Sequence, residues 1–447
     1  MDKNSHRLLF LLTGFLIASS LFGQTEWTLD QCISYAQEHN IKIKQLELSV
    51  DLAQNNFLQS KLDPLPSING GVGHTYRFGR SVDPLTYEFT NQNTVGSAFY
   101  ARSGLDLFKG FQKIYSIKKG RLELDKKLAD LDRARNDLAL TITRYFLEVM
   151  YNQDMLVIAG NQLEISGHQL AQTQILVNAG SLPAGDVLEI ESQIAYDELI
   201  LVNTQNQLDL SFLDLSQLLD IENPENFSIL RPDFSNFELS HQAEDPVMVY
   251  NQALKTLPRV RFAELAVLSS ERDLKIANSH LSPSLYMTST FGSGYSDQIM
   301  DIISGQVMPF YDQIQFASTS SISFSLSIPV FNSWSNRINI KNARLAVLNS
   351  QYELELTRNQ LRKEIQLAAA DARAAMKRFQ ASNKSSLSLE RSFNYTEKKY
   401  NLGALTSLDY IIAKNKLVKA RSELLQAKYG YIFNSKILDF YNGIPFI

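Results

Sequence analysis

The side chains that could do chemistry in this 447-residue sequence do not gather into a catalytic signature. His39, His74, His168, His241 and His280 lack the HExxH spacing that places two imidazoles and a general base on one helix face. No glycine-rich loop ends in Lys-Ser or Lys-Thr, and Gly70-Gly71-Val72-Gly73 reads as strand rather than as a phosphate cradle. The single Cys32 excludes an intrachain disulfide framework and any cysteine-cluster zinc or iron–sulfur site. A Ser/His/Asp triad stays open in so serine-rich a chain, but nothing points to one. No catalytic residue, metal or cofactor is therefore assigned. The balance of 43 basic and 47 acidic residues leaves no broad basic footprint, so nucleic acid is an unsuitable partner. The charges that remain of interest are few. Asp186 (with Glu189 three residues on) and Asp409 follow the glycine-containing turns at Gly180 and Gly403, where a carboxylate in the first turn favours a helix's positive end. Arg77 and Arg102 fall on the polar side of alternating segments.

Those segments are the strand candidates. Ser321 to Ile328 reads SISFSLSI, with Ile322, Phe324, Leu326 and Ile328 on one face and Ser321, Ser323, Ser325 and Ser327 on the other. This is an apolar-out membrane strand or a half-buried soluble one. Weaker copies run over Ser67 to Phe78, over Ala98 to Leu107 (Phe99, Leu105 and Leu107 against Arg102 and Asp106), and over Leu285 to Tyr295. Each pair encloses a polar, aromatic loop, as in a hairpin with a long outer loop. In that register Arg77 and Arg102 face the same way as the serines.

Two proline-free tracts, 85–182 and 330–444, permit very long helices. One should run from about 109 to 178 and the other from about 333 to 400, roughly 100 Å each at 1.5 Å per residue. Alanines at 368, 369, 370, 372, 374 and 375 suggest a helix wedged between two neighbours. Lys3 and Arg7, the apolar stretch from Leu8, and Ala18-Ser19-Ser20 have the order of a secretory signal, which we assign to 1–24. No later window is apolar enough for a transmembrane helix, so a membrane location would require a β-barrel.

An internal repeat organises the chain. NAGSL at Asn178 aligns with NLGAL at Asn401, and the offset of 223 also pairs Phe108 with Phe331, Ile117 with Ile340 and Leu138 with Leu361. Pro66-Ser67 aligns with Pro283-Ser284 at offset 217. The expected domains are repeat 1 at 25–220 (helix, hairpin about 66–108, long helix about 109–178, helix about 183–219), a linker at 221–245, and repeat 2 at 246–447 (helix, hairpin about 283–331, long helix about 333–400, helix about 405–442).

Four strands cannot close a barrel, and an open edge in lipid leaves backbone groups unpaired. Two copies would give eight strands and a filled interior; three would give twelve and a lumen, a conduit lined by Arg77, Arg102, Ser321, Ser323 and Ser325 with Ile322, Phe324, Leu326 and Ile328 toward lipid. The fold class is an α+β membrane protein with an internal twofold repeat. The WTLDQC opening at Trp27 to Cys32, the repeat, the strand hairpins before Phe108 and Phe331 and the Gly180–Asp186 and Gly403–Asp409 turns together resemble the TolC-type outer-membrane efflux proteins.

That resemblance implies a homotrimer in the outer membrane of a Gram-negative bacterium, whose twelve-stranded barrel continues into a long periplasmic α-helical barrel. It implies docking to a periplasmic adaptor (membrane fusion protein) and an inner-membrane efflux or secretion transporter, for passive export. It places Asp186, Glu189 and Asp409 at the periplasmic entrance, and Asn178, Gly180, Leu182, Asn401, Gly403 and Leu405 at the tip that meets the adaptor. Where some relatives carry a second acid, repeat 1 has Glu189 but repeat 2 has Ile412. The competing reading is a periplasmic coiled-coil adaptor or scaffold, which would have one helical hairpin beside compact β-domains.

Overall fold

A computed structural model describes residues 26–82, 87–221, 227–232 and 245–444. The expected signal segment at 1–24 lies outside them, as does most of the expected linker. The order is β1 (Glu26–Trp27), α1 (Leu29–His39), α2 (Ile41–Leu62), β2 (Ser67–Arg77), β3 (Arg80–Val82), β4 (Phe89–Asn91), β5 (Thr94–Lys109), α3 (Gln112–Asn178) and α4 (Gly185–Leu218). It continues with β6 (Ser228–Ile229), α5 (Pro246–Thr256), α6 (Pro258–Ser279), β7 (Ser284–Ser296), α7 (Phe310–Phe316), β8 (Thr319–Ser327), α8 (Ser335–Asn401) and α9 (Ser407–Tyr441). The bounds of α1, α2 and the start of β2 recur 217 residues later in α5, α6 and β7, and those of α3 recur 223 later in α8.

The chain divides into two compact units. The strand-bearing unit draws on Ser49–Leu128 and Phe262–Glu355. Its main sheet is antiparallel in the order β2-β5-β7-β8. Strand periodicity sorts its two faces. Val72 opposes Phe99, Leu105 opposes Met287, and Leu285 and Met287 oppose Leu326 and Phe324, giving a continuous apolar face. The other face is hydroxyl- and glycine-rich: Tyr100 lies over Gly71 and Tyr286 over Gly104, positions where a Cβ would meet the rings. One detail departs from strict alternation. A β-bulge between Asp106 and Phe108 takes Leu107 out of the ladder and puts Phe108, not Leu107, opposite Leu285. Ile328, expected to end the lipid row, lies one residue past β8. The outer loops carry order that composition concealed: β3 pairs with β4, and α7 is tied down by Gln313, whose amide bonds Ser296 N, Ser296 O and Met308 O at 2.8–2.9 Å.

The helical unit is built from the described parts of Met1–Leu48, Ala129–Arg261 and Leu356–Ile447. Ile142, Phe146, Val149 and Met150 recur at three- and four-residue steps on α3, and bury one stripe against Leu215 of α4 and Leu219 just past it, Cys32 and Ala36 of α1, and Ile432 of α9. Burying such side chains contributes roughly 1.5–3 kcal/mol each. Trp27 anchors β1, edge-on to Tyr35 and Phe227, while β1 runs parallel to β6. In the alanine run Ala368, Ala369, Ala372 and Ala375 are buried and Ala370 is exposed, so within one chain it supplies a single buried stripe. Among the described residues no helix is long and apolar enough to cross a membrane.

Candidate functional site

Two arrangements, one in each unit, bear on function. In the strand-bearing unit, β2 and β8 are the two ends of the sheet order, each paired on one side only. Arg102 sits opposite Asn69 and Thr290, and Arg77 opposite Thr94, all on the polar face. Ser321, Ser323 and Ser325 share that face; the Ser321 and Thr290 hydroxyls are 2.6 Å apart. Ile322, Phe324 and Leu326 point the other way and are exposed. At the helix-proximal end of the polar face, Lys113 bridges Asp106 (3.0 Å) and Asp63 (3.5 Å) beside an open cleft of about 690 Å³. The polar face is thus wettable and mixed in charge, whereas the other face carries the apolar row, interrupted by His74, Ser97, Ser103 and Ser289 and partly covered by α7, where Phe310 packs on Phe99 and Ser293 donates to Ile314 O.

In the helical unit the two hairpin turns come together. Gly180 and Gly403 have φ of +75° and +69°. Each ends its long helix with a six-to-one bond, Ser181 N to Leu176 O and Ala404 N to Lys399 O, both 2.9 Å, the left-handed closure glycine permits. Asn178 and Asn401 are the last residues of α3 and α8, and both are exposed. Leu182 and Leu405 are half-buried against a cluster of Phe393, Tyr400, Tyr410 and Leu417. The apolar side chains these turns leave in solvent are instead Leu188, Leu402 and Leu408. Sequence reading missed them because it weighted the residues that the two repeats share.

The three acids separate into two roles. Asp409 closes a capping box: Thr406 Oγ1 accepts from Asp409 N (3.2 Å), and the Asp409 carboxylate accepts from Thr406 N (3.4 Å) and from the Thr406 hydroxyl (2.8 Å). Asp186 and Glu189 converge on the buried hydroxyl of Ser407 from the opposite turn, at 2.9 Å for Asp186 and in closer contact for Glu189. A hydroxyl has one proton to donate, so this is the less satisfied of the two clusters.

Behind them lies a buried network that no sequence motif announced. Lys414 of α9 reaches Gln162 O (3.2 Å), Ser166 and Asp197 (3.3 Å); Ser166 also donates to Asp197, and Gln193 donates to the other Asp197 oxygen at 2.7 Å. Burial pushes the Lys414 ammonium below its ordinary pKa, against the pull of Asp197. Tyr410, Tyr429 and Tyr441 are pushed up by burial, Tyr441 to about 12. Phenols raised above the unfolded value near 10 contribute stability that is present below pH 10 and lost as pH rises through their folded values. The urea midpoint of the helical signal should therefore fall between pH 9 and pH 11.5, with tyrosinate absorbance growing as the helices melt. Full tyrosine ionisation over intact helices would contradict this.

Comparison with known proteins places the chain. The model for the outer membrane efflux protein family matches residues 32–220 and 249–441. Outer membrane protein TolC of Escherichia coli is 22% identical over 437 residues, covering 96% of this chain and 84% of TolC. Outer membrane efflux protein BepC of Brucella suis is 20% identical over 415 residues, covering 92% of this chain and 84% of BepC. The crystal structure of the Campylobacter jejuni CmeC outer membrane channel has the same fold, with a TM-score of 0.79 at 14% identity over 93% of this chain and 86% of that one. With both halves of the sequence matched, the chain belongs to the outer membrane efflux protein family.

Proposed function

We propose that this outer-membrane efflux channel works as a homotrimer, three four-stranded sheets closing one twelve-stranded barrel whose polar face lines the lumen. The observation that carries the reading is the sheet itself: one face with an exposed apolar row, one polar face and two edge strands, β2 and β8. In lipid those edges must find partners, and twelve strands leave a lumen where eight would be filled. The recurrence of element bounds at 217 and 223 residues supports a duplicated chain, repeat 1 at 25–220 and repeat 2 at 246–447, in which each repeat supplies one hairpin. The helices form the periplasmic conduit, and Asp186 and Glu189 stand at its entrance, with Asp409 beside them in a capping role. Leu402, Leu408 and Leu188 join Leu182 and Leu405 as the surface offered to a periplasmic adaptor, which in turn couples the channel to an inner-membrane efflux or secretion transporter. Transport through it is passive. The test is the protein mass of the detergent-extracted particle by light scattering, corrected for bound detergent: three chains are expected, and a detergent-independent monomer would refute the barrel.

A further inference from the structure

We propose that α7, the short helix in the loop between β7 and β8, is an interfacial helix: it rides on the outside of the barrel wall at the edge of the outer leaflet, and it sets Tyr311 into the boundary between lipid headgroups and acyl chains. This rests on the reading that the apolar face of the sheet meets lipid.

The ladder decides which face α7 covers. Across the apolar face, Phe99 of β5 opposes Ser293 of β7, and Ser97 opposes Tyr295. α7 meets these residues. Phe310 stands edge-on to Phe99, with ring centroids 6.0 Å apart, and lies 5.5 Å from the Tyr295 ring, while Ser293 donates to Ile314 O at 2.6 Å. The fully buried Gln313 locks the helix in place through Ser296 N, Ser296 O and Met308 O. α7 is therefore a built part of the wall, on its lipid side and at the end of the sheet far from the long helices.

Helical geometry then says where its exposed rings point. Phe310, Gln313 and Ile314 face the sheet, which leaves Asp312 and Gln315 on the side away from it. Gln313 reaches Ser296, the last residue of β7, so its side of the helix is the outermost one. Phe316 is about 60° round from Gln313 and shares that outer side. Tyr311 is about 160° round and looks back along the strands, toward the exposed row of Phe291, Ile322 and Phe324. It is 85% exposed within the chain. A ring with an apolar body and a hydroxyl tip, open beside such a row, matches an interface that is apolar on one side and wet on the other.

Height and charge agree. From Leu285 to Ser293 the strand advances about 26 Å at about 3.3 Å per residue, or about 20 Å along the membrane normal at a tilt of about 40°. The apolar band of an outer-membrane barrel is about 25 Å tall and is edged by aromatic girdles, so α7 crosses the sheet where that band ends. No Lys or Arg occurs between Lys275 and Arg337, whereas Asp297, Asp301 and Asp312 lie in the loop. Attraction to lipid phosphates therefore does not hold the helix, and its occupant is the edge of the hydrocarbon itself.

Site-directed fluorescence of the full-length channel in phosphatidylcholine nanodiscs tests the assignment. Cys32 is buried and its thiol is pushed up to about 12, so it does not take the label. A bimane is attached in turn at Tyr311→Cys, Phe316→Cys and Ile322→Cys, all exposed positions; Ile322 opposes Ser289, halfway along the stretch from Leu285 to Ser293. The quenchers are iodide in the water and nitroxide lipids with the spin either near the headgroup or near the chain end. The label at 311 should lose most of its emission to the shallow nitroxide and little to iodide, the label at 322 should answer to the deep nitroxide, and the label at 316 to iodide. A label at 311 as open to iodide as that at 316, and untouched by either nitroxide, puts α7 in water and overturns the proposal. A label at 311 shielded from all three quenchers means that protein, a neighbouring copy included, covers the helix, and overturns it as well. In both of those cases the label at 322 still answers to the deep nitroxide; if it answers to iodide instead, the lipid-face reading beneath the proposal has failed.

Discussion

Lys414→Met should destabilise the helical unit by about 3–5 kcal/mol, the cost of leaving a buried charge without its partner. Asp197 is almost wholly buried and takes hydrogen bonds from Ser166 and Gln193 as well as from Lys414. Without the ammonium only those two neutral donors remain to a carboxylate in a site that water does not reach. The burial that holds the Lys414 pKa down shows that the pair is already costly to enclose. Replacing both partners, as Lys414→Met with Asp197→Leu, removes both charges and should recover most of the loss, because a buried ion pair often breaks even against hydrocarbon. The comparison is made by urea unfolding of the detergent-solubilised protein, followed by helical ellipticity. A single mutant as stable as wild type, or a double mutant no better than the single, would contradict the assignment.

Phe324→Arg and Ser323→Arg, one residue apart on β8, should differ sharply. Phe324 stands in the exposed apolar row, where an arginine near the bilayer midplane costs about 2–4 kcal/mol. Ser323 points to the polar face, opposite Thr288, where the guanidinium meets hydroxyls and water. Recovery of folded oligomer from the outer-membrane fraction should drop for Phe324→Arg and stay near wild type for Ser323→Arg, with the latter changing conductance in a planar bilayer. Equal losses for the two would mean that the faces are not divided between lipid and lumen.

The alternation in SISFSLSI was legible because strand period two is local and the segment has no competing signal. So were the turn glycines at 180 and 403, since only a left-handed residue ends a helix that way at low cost. The bulge at Leu107 was not, because an extra residue shows only against the partner strand. Gln313 was invisible for a similar reason: a glutamine in a polar loop looks solvated until its three backbone partners are in place. Lys414, Asp197 and Ser166 are far apart in sequence and individually resemble surface residues. Only the convergence of α3, α4 and α9 makes them a network. Of the candidate acids, position in a first turn was readable, but the division between a capping Asp409 and an Asp186–Glu189 pair held on Ser407 depended on which turn supplied the hydroxyl.

The two hairpin turns match in sequence and in glycine geometry, yet their second helices start differently. α9 opens with the Thr406–Asp409 box, whereas α4 opens at Ala184 with no side-chain cap. A missing cap is worth about 0.5–2 kcal/mol, which in local opening means a roughly twofold to thirtyfold larger population of frayed first turns. The α3–α4 turn is therefore the softer hinge, restrained by its tether to Ser407 rather than by its own backbone. Amide hydrogens of Asp186 to Glu189 should exchange with solvent sooner than those of Asp409 to Ile412, giving each chain one stiff corner and one compliant one.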